Sequence, residues 1–170
     1  RALALPEIGS NDSFLSYLPL YHTFGRWLEM MGTIFWGSTY TFTENTSFKT
    51  LLRDFKIAQP TVFISIPKRW IQIREQVAAT IPIEKSEEKA IKEVTQSITG
   101  ENLKWGLSAA GFLDTDIFKF FHQNDINLMS GYGMTEATGG ITMTPPKDYI
   151  ANSVGKVLPG IELKLGEDDE

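Results

Sequence analysis

Ile126-Asn127-Leu128-Met129 runs directly into Ser130-Gly131-Tyr132-Gly133-Met134-Thr135-Glu136 and the small-residue stretch Ala137-Thr138-Gly139-Gly140. The first four residues have the short apolar character of a buried strand, and the glycine-rich continuation falls where an open α/β sheet places a ligand, beyond the carboxyl end of a strand. Glycines let backbone approach a ligand closely, a ring offers a stacking face, and a carboxylate can hold a cation or a proton. Taken locally, the same residues also fit a glycine-rich turn with one surface glutamate. The rest of the chain decides between the two.

Upstream, strand-like and helix-like segments alternate. Asp12-Ser13-Phe14-Leu15-Ser16-Tyr17-Leu18 reads as a strand that Pro19 terminates, and Tyr21-His22-Thr23 as a strand-to-helix loop. Phe24, Leu28, Met31 and Phe35, widened by Trp27, Met30 and Ile34, predict a mostly buried helix up to Trp36, stopped by Gly37. Ser38 to Phe42 predicts a second strand. Asn45 or Thr46 is expected to cap a helix facing inward through Phe48, Leu51, Leu52 and Phe55. Thr61 to Ile66 is apolar enough for a central parallel strand, and Pro67 opens a helix with Trp70, Ile73 and Val77 on its inner face.

The mixed-charge run Glu84 to Glu93 reads as a solvated helix face, with Glu88 and Lys92 spaced to pair. Leu103, Trp105 and Leu107 alternate with Lys104, Gly106 and Ser108, predicting a strand that ends in Ala109-Ala110-Gly111. Asp114 caps a helix carrying Ile117, Phe120 and Phe121, and Asn124-Asp125 breaks it. Thr142 to Pro146 leads away from the glycine stretch, and Ile161 to Leu165 is strand-like. The expected fold class is α/β, a mostly parallel sheet with flanking helices. If the strands ending at Ser108 and Ser130 are neighbours, a flat ring such as a purine can lie on Ala110-Gly111 backbone beneath Tyr132. Close helix–sheet packing is the other use of such small residues.

Composition removes several function classes. The chain has 170 residues, 42% of them hydrophobic, and its 16 basic against 21 acidic residues give a net charge of −5. Without a basic stripe, nucleic acid is not an expected partner. There is no cysteine, which excludes disulfides, thiolate metal sites and a cysteine nucleophile. Two distant histidines, His22 and His122, make no zinc site. Neither Gly-x-Gly-x-x-Gly, nor a P-loop, nor the serine-hydrolase Gly-x-Ser-x-Gly is present. No apolar run approaches the roughly 20 residues that span a bilayer. A reducing cytoplasm fits, and peripheral membrane contact stays open. Arg1 at the start and the abrupt stop at Glu170 suggest an internal portion of something longer.

Four segments in order carry a family resemblance: Tyr17-Leu18-Pro19-Leu20-Tyr21-His22-Thr23-Phe24-Gly25-Arg26, Ser108-Ala109-Ala110-Gly111-Phe112-Leu113-Asp114, Gly131-Tyr132-Gly133-Met134-Thr135-Glu136, and Ser153-Val154-Gly155-Lys156-Val157-Leu158-Pro159-Gly160-Ile161-Glu162. The chain thereby resembles the adenylate-forming (AMP-binding) superfamily, most of all its long-chain fatty-acyl-CoA synthetases. The resemblance implies that residues 1–170 are part of the large N-terminal domain. It also implies a two-step reaction, in which ATP activates a fatty acid as acyl-AMP and coenzyme A displaces AMP. Related acyl-AMP ligases without the CoA step, and non-catalytic relatives keeping the fold, are the alternatives.

The family's roles fall on particular residues. Those matching Ala110, Gly111 and Tyr132 bracket adenine, that matching Thr135 contacts the α-phosphate, and that matching Glu136 helps hold Mg²⁺. Gly131, Gly133, Gly139 and Gly140 would line the acyl side, with His22 at the junction of the acyl and thiol pockets. By its residues alone, His22 is also a loop histidine satisfied by backbone. The family usually reads Gly-Gly-Ala-Pro or Gly-Ala-Ala-Pro where this chain has Ala109-Ala110-Gly111-Phe112. A phosphate loop before Arg1, and a ribose-binding Asp and a catalytic Lys after Glu170, complete the expectation.

Overall fold

Alternate residues of the central strands serve two different cores. In the computed structural model, which describes residues 8–145, 150, 153–164 and 166, seven strands form one sheet in the order β2-β1-β3-β4-β5-β6-β7. Their ranges are β1 Ser13–Ser16, β2 Thr39–Phe42, β3 Val62–Ser65, β4 Trp105–Ser108, β5 Asn127–Met134, β6 Gly139–Met143 and β7 Lys156–Val157. The first five are parallel, and β6 and β7 are antiparallel additions. Phe14, Val62, Ile64, Trp105, Leu107 and Met129 fill one core, while Leu15, Phe63 and Leu128 join the helices in the other. A parallel strand buried on both faces reads as a continuous apolar run, as β3 does.

Helices α2 (Phe48–Ala58), α3 (Pro67–Thr80), α4 (Glu88–Thr99) and α5 (Thr115–Gln123) supply the second core. Pro67 occupies the first turn of α3, where its missing N–H costs no hydrogen bond. Trp70, Ile73 and Val77 follow on the fully buried face. Fully burying side chains of this size is worth roughly 1.5–3 kcal/mol each. Asp114 caps α5 by accepting from the Asp116 N–H at 2.8 Å. At the amino ends of the strands, Asp12 accepts from Thr61 Oγ1 at 2.7 Å and pairs with Lys104 at 2.9 Å. Burial pushes the Asp12 carboxyl up, but the bonds from Lys104, Thr61 and the Gly9 N–H outweigh it and hold the group below its usual range. Among the described residues no helix is long and apolar enough to cross a membrane.

Several local expectations are corrected. The cap of α2 is Ser47, whose Oγ accepts from the Thr50 N–H at 3.2 Å, while Asn45 instead accepts from the Ser47 N–H at 2.9 Å. The mixed-charge run is not one helix: Ile83–Lys85 forms a 3-10 turn before α4 begins at Glu88. Lys92 reaches across to Asp125 on the loop after α5, because that contact ties two elements together whereas a Glu88 pair would only decorate one. Residues 161–164 carry no strand, and Pro146 and Leu165 lie outside the described residues.

The largest correction concerns residues 24–36. They are helical, π-wound over Phe24–Met30 and continuing as α1, Met31–Trp36. The fully buried residues, however, are Gly25, Glu29, Gly32 and Thr33. Of the predicted apolar stripe, Phe24 and Leu28 are half-buried against the sheet's core, whereas Met31 and the flanking Trp27, Ile34 and Phe35 turn outward, at 58%, 69% and 63% exposed for the last three. The cause is distance. A Cβ on Gly25 would lie 2.7 Å from the Pro19 carbonyl oxygen, so only a small residue lets the helix approach the end of β1.

Gly106 of β4 plays the corresponding part in the other core. An added Cβ there would meet the Trp70 indole at 2.6 Å and Leu128 Cδ1 at 2.9 Å. Gly106→Ala is therefore expected to lower stability by about 1–3 kcal/mol, read as a fall in denaturant midpoint at unchanged m-value. Combining it with Trp70→Phe should cost less than the two single changes added together, since both act on one contact.

Candidate functional site

Three parallel strands deliver their carboxyl ends to one region. β1 passes through Leu18-Pro19 into the loop at His22, β4 ends in Ala109-Ala110-Gly111, and β5 enters the glycine stretch. The two strands whose adjacency the purine argument required are neighbours, with Ser108 opposite Ser130. Such switch points between strands are where α/β sheets hold ligands.

The glycine stretch is strand, which corrects the turn reading. β5 continues to Met134 and changes partner on the way, from parallel β4 to antiparallel β6. The β5–β6 register slips between Tyr132 and Gly133, leaving Ile141 as one extra residue on β6. Such a bulge bends the ladder and re-aims neighbouring side chains. A Cβ on Gly133 would stand 2.4 Å from the Gly139 carbonyl oxygen, so the close crossing of the two strands requires glycine. Thr142 to Pro145 accordingly lie alongside β5 before they leave it, and Ser130 N–H donates to Thr144 Oγ1 at 2.7 Å.

Two cavities meet here. The larger, about 780 Å³, is walled by His22, Trp27, Met31 and Phe35 on one side and by Ala110 and residues 131–135 on the other. Gly139 and Gly140 line it as well. The smaller, about 390 Å³, lies among Ala110, Gly111, Phe112, Tyr132 and Val154. Ala110, Gly131, Tyr132 and Gly133 belong to both and form the ridge between them. Tyr132 is 48% exposed, leaving a ring face free for stacking.

Ala110 has φ +64, in the left-handed region that a non-glycine residue rarely adopts. Strain of this kind concentrates where a backbone must present itself to a ligand. Phe112, in the position where a proline was expected, is 73% exposed beside the smaller cavity.

His22 is satisfied by backbone and also lines the larger cavity. Its Nδ1 accepts from the Phe24 N–H at 3.1 Å, which leaves Nε2 as the protonated nitrogen of the neutral ring. Thr135 opens the 3-10 turn Thr135–Ala137 and lines the larger cavity, whereas Glu136 stands exposed beyond both cavity walls. Among the described residues no group of three or more His, Asp or Glu side chains could hold a metal ion. A lone carboxylate suits Mg²⁺, which keeps several waters and is commonly bound through one or two carboxylates together with substrate phosphates. Glu136 and the neighbouring Thr135 hydroxyl are hard oxygen donors of that kind.

His122 lies apart from the site, its Nε2 2.8 Å from the Leu128 carbonyl oxygen. One cluster beside the cavity went unanticipated. Glu29 is fully buried behind the cavity-lining face of its helix and bonded by Ser16 and Tyr40. The sequence signal was Gly25, Glu29, Gly32 and Thr33 at i, i+4, i+7 and i+8, a small and polar stripe that matches the buried face.

The AMP-binding enzyme family matches residues 2–170. Among curated proteins, the chain is similar to a long-chain-fatty-acid–CoA ligase of Bos taurus, 24% identical over 91% of this chain and 26% of the relative. Long-chain-fatty-acid–CoA ligase 3 of Saccharomyces cerevisiae is 27% identical over 93% of this chain and 26% of its own length. The chain thus spans about a quarter of the length of these relatives. Its fold is that of O-succinylbenzoate coenzyme A synthetase of Bacillus subtilis in complex with ATP and magnesium ion, at TM-score 0.72 and 19% identity over 99% of this chain and 32% of that one. The anthranilate CoA ligase AuaEII in complex with anthranoyl-AMP superposes at TM-score 0.74, with 18% identity over 98% and 30% of the respective chains.

The strain at Ala110 is directly measurable. An Ala-to-Gly change in ordinary backbone costs about 0.5–1 kcal/mol. Ala110→Gly should leave the denaturant midpoint unchanged or raise stability by up to about 1 kcal/mol, because relief of the left-handed conformation offsets the added freedom of the unfolded chain.

Proposed function

Because the chain belongs to the AMP-binding enzyme family, we propose that it is the part of an ATP-dependent long-chain fatty acid–CoA ligase that joins the nucleotide site to the acyl site. The observation that carries this reading is the shared ridge. A small cavity floored by Ala110-Gly111 and edged by Tyr132 meets a larger one walled by Trp27, Met31 and Phe35. A base and an alkyl chain can thus lie on opposite sides of one short segment, with the reacting carboxylate and α-phosphate between them.

In this reading the fatty acid's carboxylate oxygen attacks the α-phosphorus of ATP and pyrophosphate leaves. The thiolate of coenzyme A then attacks the acyl carbonyl carbon and AMP leaves. Ala110-Gly111 backbone and the Tyr132 ring hold the base in place. The Thr135 hydroxyl donates to an α-phosphate oxygen, where negative charge accumulates as the phosphorus is attacked. Mg²⁺, when bound, supplies charge neutralisation on the phosphates, and Glu136 is its ligand from this chain. His22 holds its ring at the mouth of the larger cavity through the Phe24 N–H bond, with Nε2–H free to donate to a carboxyl or thioester oxygen. The aromatic and methionine wall excludes water and accommodates the alkyl chain. The carboxylate site, not the alkyl wall, then sets the chemistry.

The test is carboxylate-dependent ATP–pyrophosphate exchange, followed by CoA consumption, in the polypeptide that carries these residues. Exchange with long-chain fatty acids is expected, falling about 100-fold or more in Glu136→Ala. In Tyr132→Ala the KM for ATP should rise about 3–10-fold, as expected for a lost stacking contact. Unchanged exchange in Glu136→Ala removes the proposed metal ligand. Exchange without CoA consumption identifies an acyl-AMP ligase lacking the second step.

A further inference from the structure

Glu29 belongs to the helix that walls the larger cavity, yet it takes no part in the chemistry above. Its side chain points away from the cavity into the edge of the sheet and is completely buried. Oε2 accepts from the Ser16 hydroxyl on β1 and, at 3.3 Å, from the Tyr40 hydroxyl on β2. Tyr40 also donates to Ser16 Oγ at 3.0 Å, closing a three-membered cluster across both strands. Oε1 has no hydrogen-bond partner among the described residues.

Among the described residues the surroundings offer no counter-charge. Just after β1 the nearby titratable group is Tyr17, which bonds to Ser65 Oγ at 2.7 Å, and on β2 it is Tyr40. β6 and α1 pack against residues 24–30 and contain no titratable side chain. Arg26, on the same helix, is exposed. None of the ion pairs among the described residues includes Glu29. An ionised carboxylate without a cation is strongly disfavoured in such a place, so the group keeps its proton. Burial pushes the carboxyl up to about 8, against the opposing pull of the Ser16 and Tyr40 donors. The Tyr40 phenol is likewise pushed up, by burial and by the neighbouring Glu29.

The other side of the same helix turns carry Trp27, Leu28 and Met31, which wall the cavity. The segment Phe24–Met30 is π-wound, a geometry that is rare and recurs at functional sites, and it passes into regular α-helix at Met31. Its attachments to the sheet combine the half-buried Phe24 and Leu28 with three further contacts. Gly25 abuts the Leu18-Pro19 backbone, Trp36 stacks on Phe14 at 5.8 Å, and Glu29 supplies the polar bond between them.

We propose that Glu29, Ser16 and Tyr40 form a proton-dependent latch, which holds residues 24–36 against the β1–β2 edge while Glu29 is protonated and loosens the cavity wall when the proton is lost. The sign follows from the two states of the carboxyl. With the latch closed, Glu29 releases its proton only near pH 8, whereas in the opened or unfolded chain it does so near the ordinary carboxylate value. The latch's contribution is therefore fully present below that ordinary value, weakens as pH rises, and is lost through about pH 8. The proposal concerns the wall itself and stands whether or not the cavity takes a fatty acid.

The test is backbone amide hydrogen exchange, corrected for intrinsic rates, in the polypeptide carrying these residues. Between about pH 6 and about pH 9.5, protection of residues 24–36 should fall roughly 10- to 100-fold while that of α3 stays constant. Glu29→Gln, neutral at every pH, should show no such fall. Tyr40→Phe, having lost a donor that favours the charged form, should move the fall to higher pH, a shift that a merely structural role would not produce. A fall of the same size in Glu29→Gln, or no fall in the unaltered chain, overturns the proposal. Should Glu29→Gln fail to fold, the infrared C=O stretch of a protonated carboxylic acid in the unaltered chain decides. It should be present at neutral pH and vanish through about pH 8, where the fall in protection levels off, and its absence at neutral pH overturns the latch.

Discussion

The seat of Trp70 on Gly106 is the contact on which the sheet and its helices depend. The indole is fully buried, meets Phe63 edge-on at 5.2 Å and Phe121 at 4.9 Å, and donates its Nε1–H to the Leu107 carbonyl oxygen at 3.3 Å. One side chain from α3 thereby touches β3, β4 and α5. That fixes the height at which β4 emerges from the core. It fixes, in turn, where Ala109-Ala110-Gly111 leave the sheet, with the Gly111 backbone set beside Pro67 at the start of the same α3. The floor of the smaller cavity is thus held from beneath by packing that never touches a ligand. Interiors this dense transmit displacement, so the floor depends on the core's fit as much as on its own residues.

The opposite face of the sheet is arranged on a different principle. Its helix, over residues 24–36, turns its small and polar residues inward and its large apolar ones toward a cavity. A helix that buried Trp27, Met31 and Phe35 against the sheet would be better packed by itself and would leave no space. By standing close to the Leu18-Pro19 backbone through Gly25, it leaves the bulky side chains to wall a cavity of about 780 Å³. The attachment is of mixed character, with one buried carboxyl group set among the half-buried Phe24 and Leu28 and the stack of Trp36 on Phe14. A cavity wall attached partly through a buried polar group accords with the tendency of binding elements to be drawn from regions of low local stability.

This inversion also marks where the sequence stopped being informative. Periodicity located the helices correctly wherever the apolar stripe and the buried face coincided, as at Trp70, Ile73 and Val77 or at Ile117, Phe120 and Phe121. It located residues 24–36 as helical but took the whole stripe as buried, although only Phe24 and Leu28 of it pack on the core, since an apolar stripe does not distinguish a protein core from a cavity wall. The glycine stretch failed differently. Gly131 and Gly133 lower strand propensity, yet Gly133 is there because two strands cross too closely for a Cβ, a tertiary fact that overrides propensity. Ala110 carried no local sign of its left-handed backbone, because only glycine, asparagine and aspartate announce one. The ordered motifs at His22, Ala110, Gly131 and Glu136 were legible because spacing along the chain survives where local propensity is contradicted.

β5 explains why these motifs converge. A purely parallel sheet would end β5 near Ser130, level with Ser108 on β4. The switch to an antiparallel partner carries the strand four residues further, out of the layer and over the carboxyl edge, and the bulge opposite Ile141 bends it there. Tyr132 lies on that overhang and Ala110 beneath it, so the same short extension walls one cavity and edges the other. A loop could present the same residues, but only with the freedom that loops keep. A bulged strand pinned by β6 on one side and held to the sheet by β4 on the other has little such freedom. If two substrates must meet between the cavities, the precision of their meeting is set by this ladder, and by the glycine that lets its strands cross.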